Sequence, residues 1–410
     1  MPFPKTNPAI TDQPDFLRVL PLLLVLLGFA MLIAQPVSPA SAAEEDSSAA
    51  VLCLPGVYLD QPADCALAGP AAYQTDLARL GIRLPLQSLP AVPADPNLPY
   101  TSYRYARLKE NITVPLYGSL EDAIAGRGAT QFIEAGGLRY VSYIDEANTN
   151  DSPKPDFFLL RSGVWISAGD VAQRENAVIR FQGLAFRSTP AQAFGWILPL
   201  TSFTETKGTP GYAAQDYTGH QLVEYTVVQV YATQQVDGAD WYLVGPDEWV
   251  EGRMVGRVLP NTTPPEGVTN GRWIEINLFE QTLAVYENNS LVFATLIASG
   301  SKPFYTRPGL FPIYNKLETT PMRGAFEADR SDFYYLEDVP WTMYFDEARA
   351  LHAAYWRTRF GFAQSHGCVN LSPGDANWLF HWAQEGDWVY VWDPSGETPT
   401  DPAFYGAGGA

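Results

Sequence analysis

Ser365-His366-Gly367-Cys368-Val369-Asn370, preceded by Leu351-His352, is the stretch that decides how this chain is read. Two of its four histidines precede Cys368 by sixteen positions or fewer. A thiol with an ordinary pKa of ~8.5 is mostly protonated at neutral pH, so a nucleophilic cysteine needs a base or an electropositive neighbour. Imidazole supplies both. Gly367 lets the backbone turn sharply, and the amides around it, including that of Cys368, suit a developing oxyanion. Three chemistries compete for these residues. One is a buried structural cysteine beside a core histidine. Another is a metal site built from His352, His366, Cys368 and His381, whose ligand types suit zinc but lack the paired spacings C-x-x-C or H-E-x-x-H. The third is a Cys–His nucleophile.

The flanking segments are β-rich. Upstream, Trp273-Ile274-Glu275-Ile276-Asn277-Leu278 alternates apolar and polar residues, as a half-buried strand does. Gln281 to Tyr286 and Leu291 to Ala298 read as two more strands of a meander, with Asn288-Asn289 as the turn. Thr306-Arg307-Pro308-Gly309 predicts a turn before a strand over Leu310 to Tyr314. Downstream, Ser372-Pro373-Gly374-Asp375 opens a helix whose core face is Ala376, Leu379, Phe380 and Ala383. Asp387 to Trp392 is a closing strand.

His352 followed by Ser365-His366-Gly367-Cys368-Val369-Asn370 resembles the signature of the L,D-transpeptidases, the YkuD-type domain. Thr306-Arg307-Pro308-Gly309-Leu310-Phe311 is similar to that family's Thr-Pro-x-Gly-x-Phe segment, with Arg307 where the family has Pro. Asp375-Ala376-x-Trp378-Leu379 resembles the helix after the cysteine. The resemblance implies Cys368 as nucleophile, His352 as general base and His366 as an orienting, hydrogen-bonding residue. It gives Ser365, Gly367 and Asn370 to oxyanion geometry and substrate positioning. The family usually has Gly or Ser after the upstream histidine, where this chain has Ala353, so a side-chain hydroxyl or glycine freedom is missing beside His352. The implied activity is acyl transfer between peptidoglycan stem peptides through a Cys368 thioester, with no metal or organic cofactor. Carbapenem-type β-lactams are implied as acylating agents of the same thiol. Two further readings share parts of the pattern: an L,D-carboxypeptidase that passes the thioester to water, and a non-catalytic wall-binding protein. Asp338, Tyr344 and Arg349 are weak substrate-contact candidates in what reads as a solvated loop. His381 and isolated His220 receive no role.

Between about 100 and 259 the chain reads as short strands broken by turns. Asp156-Phe157-Phe158-Leu159-Leu160 with Trp165-Ile166 recurs as Asp240-Trp241-Tyr242-Leu243-Val244 with Trp249-Val250, 84 residues later at every matched position. Each copy is a strand, a tight turn and a strand, and the pattern resembles bacterial SH3-like modules. Phe157, Trp165, Trp241 and Trp249 are expected chiefly to fill two small β cores. The expected architecture is mainly β: two small SH3-like β-barrel modules at 99–180 and 181–259, a Pro/Gly/Asn/Thr-rich linker at 260–271, a β-rich YkuD-like catalytic domain with one or two helices at 272–393, and a tail at 394–410.

Composition sets the outer limits. At 410 residues and 46% hydrophobic, the chain has material for several domains. Its formal charge of −19 disfavours nucleic acid and anionic membrane as partners. Lys5 and Arg18 precede the apolar run Val19 to Ala34, and Ala40-Ser41-Ala42 fits a signal-peptidase site, so 1–43 reads as an export signal. A membrane is a partner only if that segment stays uncleaved as an anchor. The remainder is then exported, to an extracellular, periplasmic or wall-associated location. Cys53 and Cys65, within a spacer over 44–98, bracket eleven residues and are suited to a disulfide in an oxidising compartment. That pairing leaves Cys368 as the odd, reactive thiol.

Overall fold

The computed structural model describes residues 86–92, 95, 97–98, 103–149, 153–174 and 183–405. The export segment, the Cys53–Cys65 pair and most of the spacer lie outside the described residues. The described chain is mainly β, with two α-helices, Leu120–Ala125 and Pro373–Trp382.

Two sheets and the second helix enclose the largest core. The first sheet holds the meander Arg272–Asn277, Thr282–Glu287 and Ser290–Leu296. The Asn288-Asn289 turn places both residues at positive φ (50° and 58°), the primed geometry that matches strand twist in a two-residue hairpin. Trp388–Trp392 then pairs parallel to Arg272–Asn277, with Ile274 opposite Val389, and Gly309–Pro312 closes that edge. Parallel pairing needs a long crossover, and the crossover here carries the whole Cys–His stretch. In the second sheet the neighbours run Val369–Leu371, Arg349–Ala353, Tyr334–Asp346. Ile274, Ile276, Leu283, Val285 and Phe293 from the first sheet meet Met343, Phe345, Leu351, Val369 and Leu371 from the second. Ala376, Leu379 and Ala383 of the helix complete the cluster. Phe380 is half-buried against it. Ser372 caps the helix by accepting the Asp375 amide at 3.3 Å, with Pro373 in the first turn.

One large element departs from the expectation. Asn315–Gly324 and Tyr334–Asp346 form a long antiparallel hairpin, so Asp338 and Tyr344 stand on a strand rather than in a solvated loop. Arg349 opens the following strand and is buried at 4% exposure. The same long strand pairs in parallel with Leu138–Ala147, which joins the strands of 104–174 to this sheet.

The 84-residue sequence repeat is also a structural one. Phe157–Leu160, Trp165–Ser167, a 3-10 turn from Ala168 and a strand from Val171 recur as Ala239–Gly245, Glu248–Glu251, a 3-10 turn from Gly252 and a strand from Val255. Phe158, Leu160 and Ile166 fill one core; Tyr242 and Val250 belong to the other. Trp241 is buried, whereas Phe157, Trp165 and Trp249 are half-buried.

Candidate functional site

His352 lies on the strand Arg349–Ala353, directly opposite Asn370 on the parallel strand Val369–Leu371. Cys368 lies in the bend that leads directly into that strand, two residues before Asn370. On its other side Asn370 exchanges both backbone hydrogen bonds with Ala298, at 3.0 Å each. The nucleophile candidate is thereby held between two backbone segments far apart in sequence.

The turn before Cys368 is closed by side chains. Ser365 Oγ accepts the Gly367 amide at 3.2 Å and donates to the Cys368 carbonyl. Thr306 Oγ1 donates to the Gly367 carbonyl at 2.8 Å and accepts the Gly300 amide at 2.9 Å. Thr306 thus ties the Thr-Arg-Pro-Gly segment to the Ser-His-Gly-Cys turn. Gly367 has φ 121°, a conformation open to glycine, and a Cβ there would meet Arg349 Nε at 3.3 Å. The amide of Gly367 serves the turn.

Below the turn lies a buried ion cluster. Asp346 accepts Arg349 Nη1 at 2.9 Å and Arg307 Nε at 2.9 Å. Arg307 therefore has its own partner here.

Cys368 is 4% exposed, with Sγ 3.8 Å from the Ala348 carbonyl oxygen, to which the thiol can donate. Burial pushes the thiol up to about 11, against the pull of the Ala350 amide, Arg349 and Arg357. His352 is 2% exposed, and burial lowers it to about 4, assisted by Arg357 and opposed by the Ala353 carbonyl. At neutral pH the resting pair is therefore thiol and neutral imidazole. His352 Nδ1 lies 3.1 Å from the Ala353 carbonyl oxygen and Nε2 lies 3.0 Å from Asn370 Nδ2. The carbonyl can only accept, which makes Nδ1 the protonated nitrogen. Support of His352 comes from a backbone carbonyl that any residue at 353 provides, so the Ala353 departure removes nothing the imidazole uses.

The second motif histidine is placed differently. His366 is exposed, stacked on Phe326 at 4.5 Å and 8° and tilted against Phe304 at 4.8 Å. Burial lowers its pKa, with Arg357 acting in the same sense and Asp332 against it. His220 pairs with Glu248 at 2.8 Å, and His381 bonds the Asn377 carbonyl at 2.9 Å; both are exposed. Among the described residues no group of three His, Cys, Asp or Glu is arranged to hold a metal ion.

Sequence reasoning missed Arg357, which bonds Asn370 and Gln364, and the Arg307–Asp346–Arg349 cluster. Arg357 sits in the variable spacer of the motif, and nothing in its neighbours signals that it turns back to the site. The aromatic bed of His366 was equally silent, because Phe304 and Phe326 are 62 and 40 positions away from it.

Residues 271–391 match the YkuD family model, the L,D-transpeptidase catalytic domain. No curated protein matches the chain. Among solved structures, an L,D-transpeptidase from Stackebrandtia nassauensis is 27% identical, with 33% of this chain and 60% of that one covered and a TM-score of 0.26. The C442S mutant of an Enterococcus faecium L,D-transpeptidase is 26% identical, over 30% of this chain and 50% of that one, with a TM-score of 0.28. A catalytic domain from E. faecium, acylated by ertapenem, is 27% identical over 31% of this chain and all of that one, with a TM-score of 0.27. This chain thus spans 60% and 50% of the lengths of the first two.

Proposed function

We propose that the chain, whose residues 271–391 form a YkuD-type L,D-transpeptidase domain, is an exported cysteine acyltransferase acting on peptidoglycan stem peptides. The observation that supports the reading is the pairing of His352 with Asn370, two residues after Cys368, with His352 Nδ1 anchored on the Ala353 carbonyl and Nε2 bonded to Asn370 Nδ2. Nucleophile, base and orienting group are the three parts such chemistry requires.

In the first half-reaction the Cys368 thiol gives its proton to His352 Nε2 as sulfur attacks the carbonyl of the third stem-peptide residue. The tetrahedral oxyanion collapses, the peptide bond to the terminal D-alanine breaks, and Nε2 returns the proton to the leaving amine. A thioester remains. The side-chain amine of a second stem peptide then attacks it, and a crosslink forms while the thiol is restored. With the thiol at about 11, the thiolate is generated as attack proceeds rather than stored at rest. Ser365, Gly367 and Thr306 hold the turn in the shape attack requires. His366, on its aromatic bed at the surface, lines the approach. Carbapenem-type β-lactams acylate the same sulfur. The two repeated hairpin–3-10–strand units, read as SH3-like modules, position the enzyme on wall polymer through aromatic and shape contacts, since a charge of −19 repels anionic polymers.

Incubation with a tetrapeptide muropeptide and mass measurement test the reading. A Cys368 adduct lacking one alanine, and a crosslinked product, are expected; Cys368→Ala abolishes both while the fold survives. Release of tripeptide alone identifies a carboxypeptidase. Full activity of Cys368→Ala removes the proposal.

A further inference from the structure

Arg357 has no part in the mechanism above, yet it reaches the site from the turn after the His352 strand, where its amide bonds the Ala354 carbonyl at 3.1 Å. Its Nε donates to Asn370 Oδ1. Its Nη2 donates to the Gln364 carbonyl at 2.8 Å and its Nη1 to Gln364 Oε1 at 3.2 Å. A guanidinium has donors only, so the amide atom facing it is the oxygen. The NH2 of Asn370 then points the other way, onto His352 Nε2 at 3.0 Å. A donor on that side makes Nε2 the acceptor, bearing a lone pair and no proton. The Ala353 carbonyl already claims the proton on Nδ1, at 3.1 Å. Along Arg357, Asn370, His352 and Ala353, each group fixes the direction of the next. A neutral Nδ1–H imidazole is the one proton arrangement that satisfies all four.

We propose that Arg357 is a positioning residue which, by pinning the Asn370 amide, holds His352 as the neutral Nδ1–H tautomer, with the Nε2 lone pair accepting from Asn370 until an incoming proton displaces that hydrogen bond. With the amide oxygen held by Arg357, a proton on Nε2 faces the Asn370 NH2, donor against donor. The positive charge of Arg357 opposes that proton as well. In acylation the Asn370 NH2 gives up the Nε2 lone pair, the S–H bond breaks and its proton takes that lone pair, while the sulfur electron pair forms the C–S bond and the carbonyl π pair moves onto oxygen. The unfavourable N–H to NH2 contact then drives the proton onward to the leaving amine nitrogen as its C–N bond breaks. The chain thus makes His352 a relay that does not retain its proton. The other groups facing the pair are Arg349 beside Cys368, the Tyr334 and Tyr344 hydroxyls from the long hairpin strand, and Asp332 opposite His366. The charge that acts on His352 itself is that of Arg357.

The consequence for turnover rests on the transpeptidase reading; the proton state of His352 does not. The test compares Arg357→Met, which removes donor and charge, with Arg357→Lys, which keeps both. His352 is titrated by NMR in the unliganded, histidine-labelled full chain, and the acid limb of Cys368 acylation by a carbapenem is measured against pH. In Arg357→Met the His352 midpoint and the acid limb should both rise by at least about one pH unit. The maximal acylation rate should fall with the half-saturating concentration kept within about twofold, and Arg357→Lys should restore wild-type behaviour. A folded Arg357→Met that titrates as wild type, or a Lys variant that shifts as far as the Met variant, overturns the proposal. If Arg357→Met does not fold, Asn370→Leu carries the same titration, and an unshifted His352 there overturns it. Failure of wild type to form a thioester with a muropeptide refutes the transpeptidase reading alone, because the His352 titration is read without substrate.

Discussion

Asp346 binds Arg349 at 2.9 Å, and the Arg349 side chain in turn lies against the Cα of Gly367, one residue before the nucleophile candidate. The ion cluster and the turn before Cys368 are therefore packed as one unit. Removing the Asp346 carboxylate takes away the anion that buried Arg349 and half-buried Arg307 share. Asp346→Ala should lower unfolding free energy by roughly 3–5 kcal/mol, the range for breaking a buried pair, as read from urea denaturation. A change below about 1 kcal/mol would show that the cluster is not holding the turn.

Gly367→Ala places a Cβ on a residue at φ 121° and 3.3 Å from Arg349 Nε. Strain of about 1–3 kcal/mol is expected, released by distorting the turn. Single-turnover acylation should fall at least roughly tenfold while far-UV dichroism is unchanged, the distortion falling on the attacking sulfur. A variant that acylates at the wild-type rate contradicts the placement of Gly367.

Cys368 should alkylate slowly at neutral pH. Burial raises its pKa to about 11, and a neutral His352 at about 4 does not pair with a thiolate at rest. Iodoacetamide inactivation should therefore quicken about tenfold per pH unit from 8 to 10, as the thiolate fraction does. A plateau below pH 8 would instead reveal a preformed thiolate–imidazolium pair.

Glu275 lies half-buried on the first meander strand, accepting Trp392 Nε1 at 3.0 Å. Burial pushes its carboxyl up to about 7, with that hydrogen bond resisting. The folded state then holds a proton that the unfolded state has lost above its ordinary value of ~4.3. Stability attributable to this group is present at low pH and is lost as pH rises from about 4.3 to 7. Glu275→Gln should flatten that fall and gain on the order of 1 kcal/mol at pH 8, with little change at pH 4. Thermal melts of both proteins across that range decide it.

The region matched by the family model, 271–391, was readable because its signals are local. Alternation over Trp273–Leu278, the Asn288-Asn289 turn and the Ser372-Pro373 helix start each depend on neighbours in sequence, and each lies where it was expected. The long hairpin Asn315–Gly324 with Tyr334–Asp346 was not readable in this way. Its buried and exposed positions follow no period of two, because bulges and two faces of packing interrupt the alternation. Asp338, Tyr344 and Arg349 consequently read as polar loop residues, although Arg349 is a buried partner of Asp346.

By itself the sequence determined the nucleophile candidate, the upstream histidine, the turn between them and the 84-residue repeat, since each is written as residue type and spacing. Tertiary structure decided which histidine is buried against Asn370 and what sets its proton state. The parallel pairing of 349–353 with 369–371 buries His352 against Asn370, whereas His366, two residues from Cys368, turns outward onto Phe326. Hydrogen-bond direction along Arg357, Asn370 and Ala353 depends on atoms brought together by that pairing. Sequence records the donors and acceptors, but only the fold decides which of them meet.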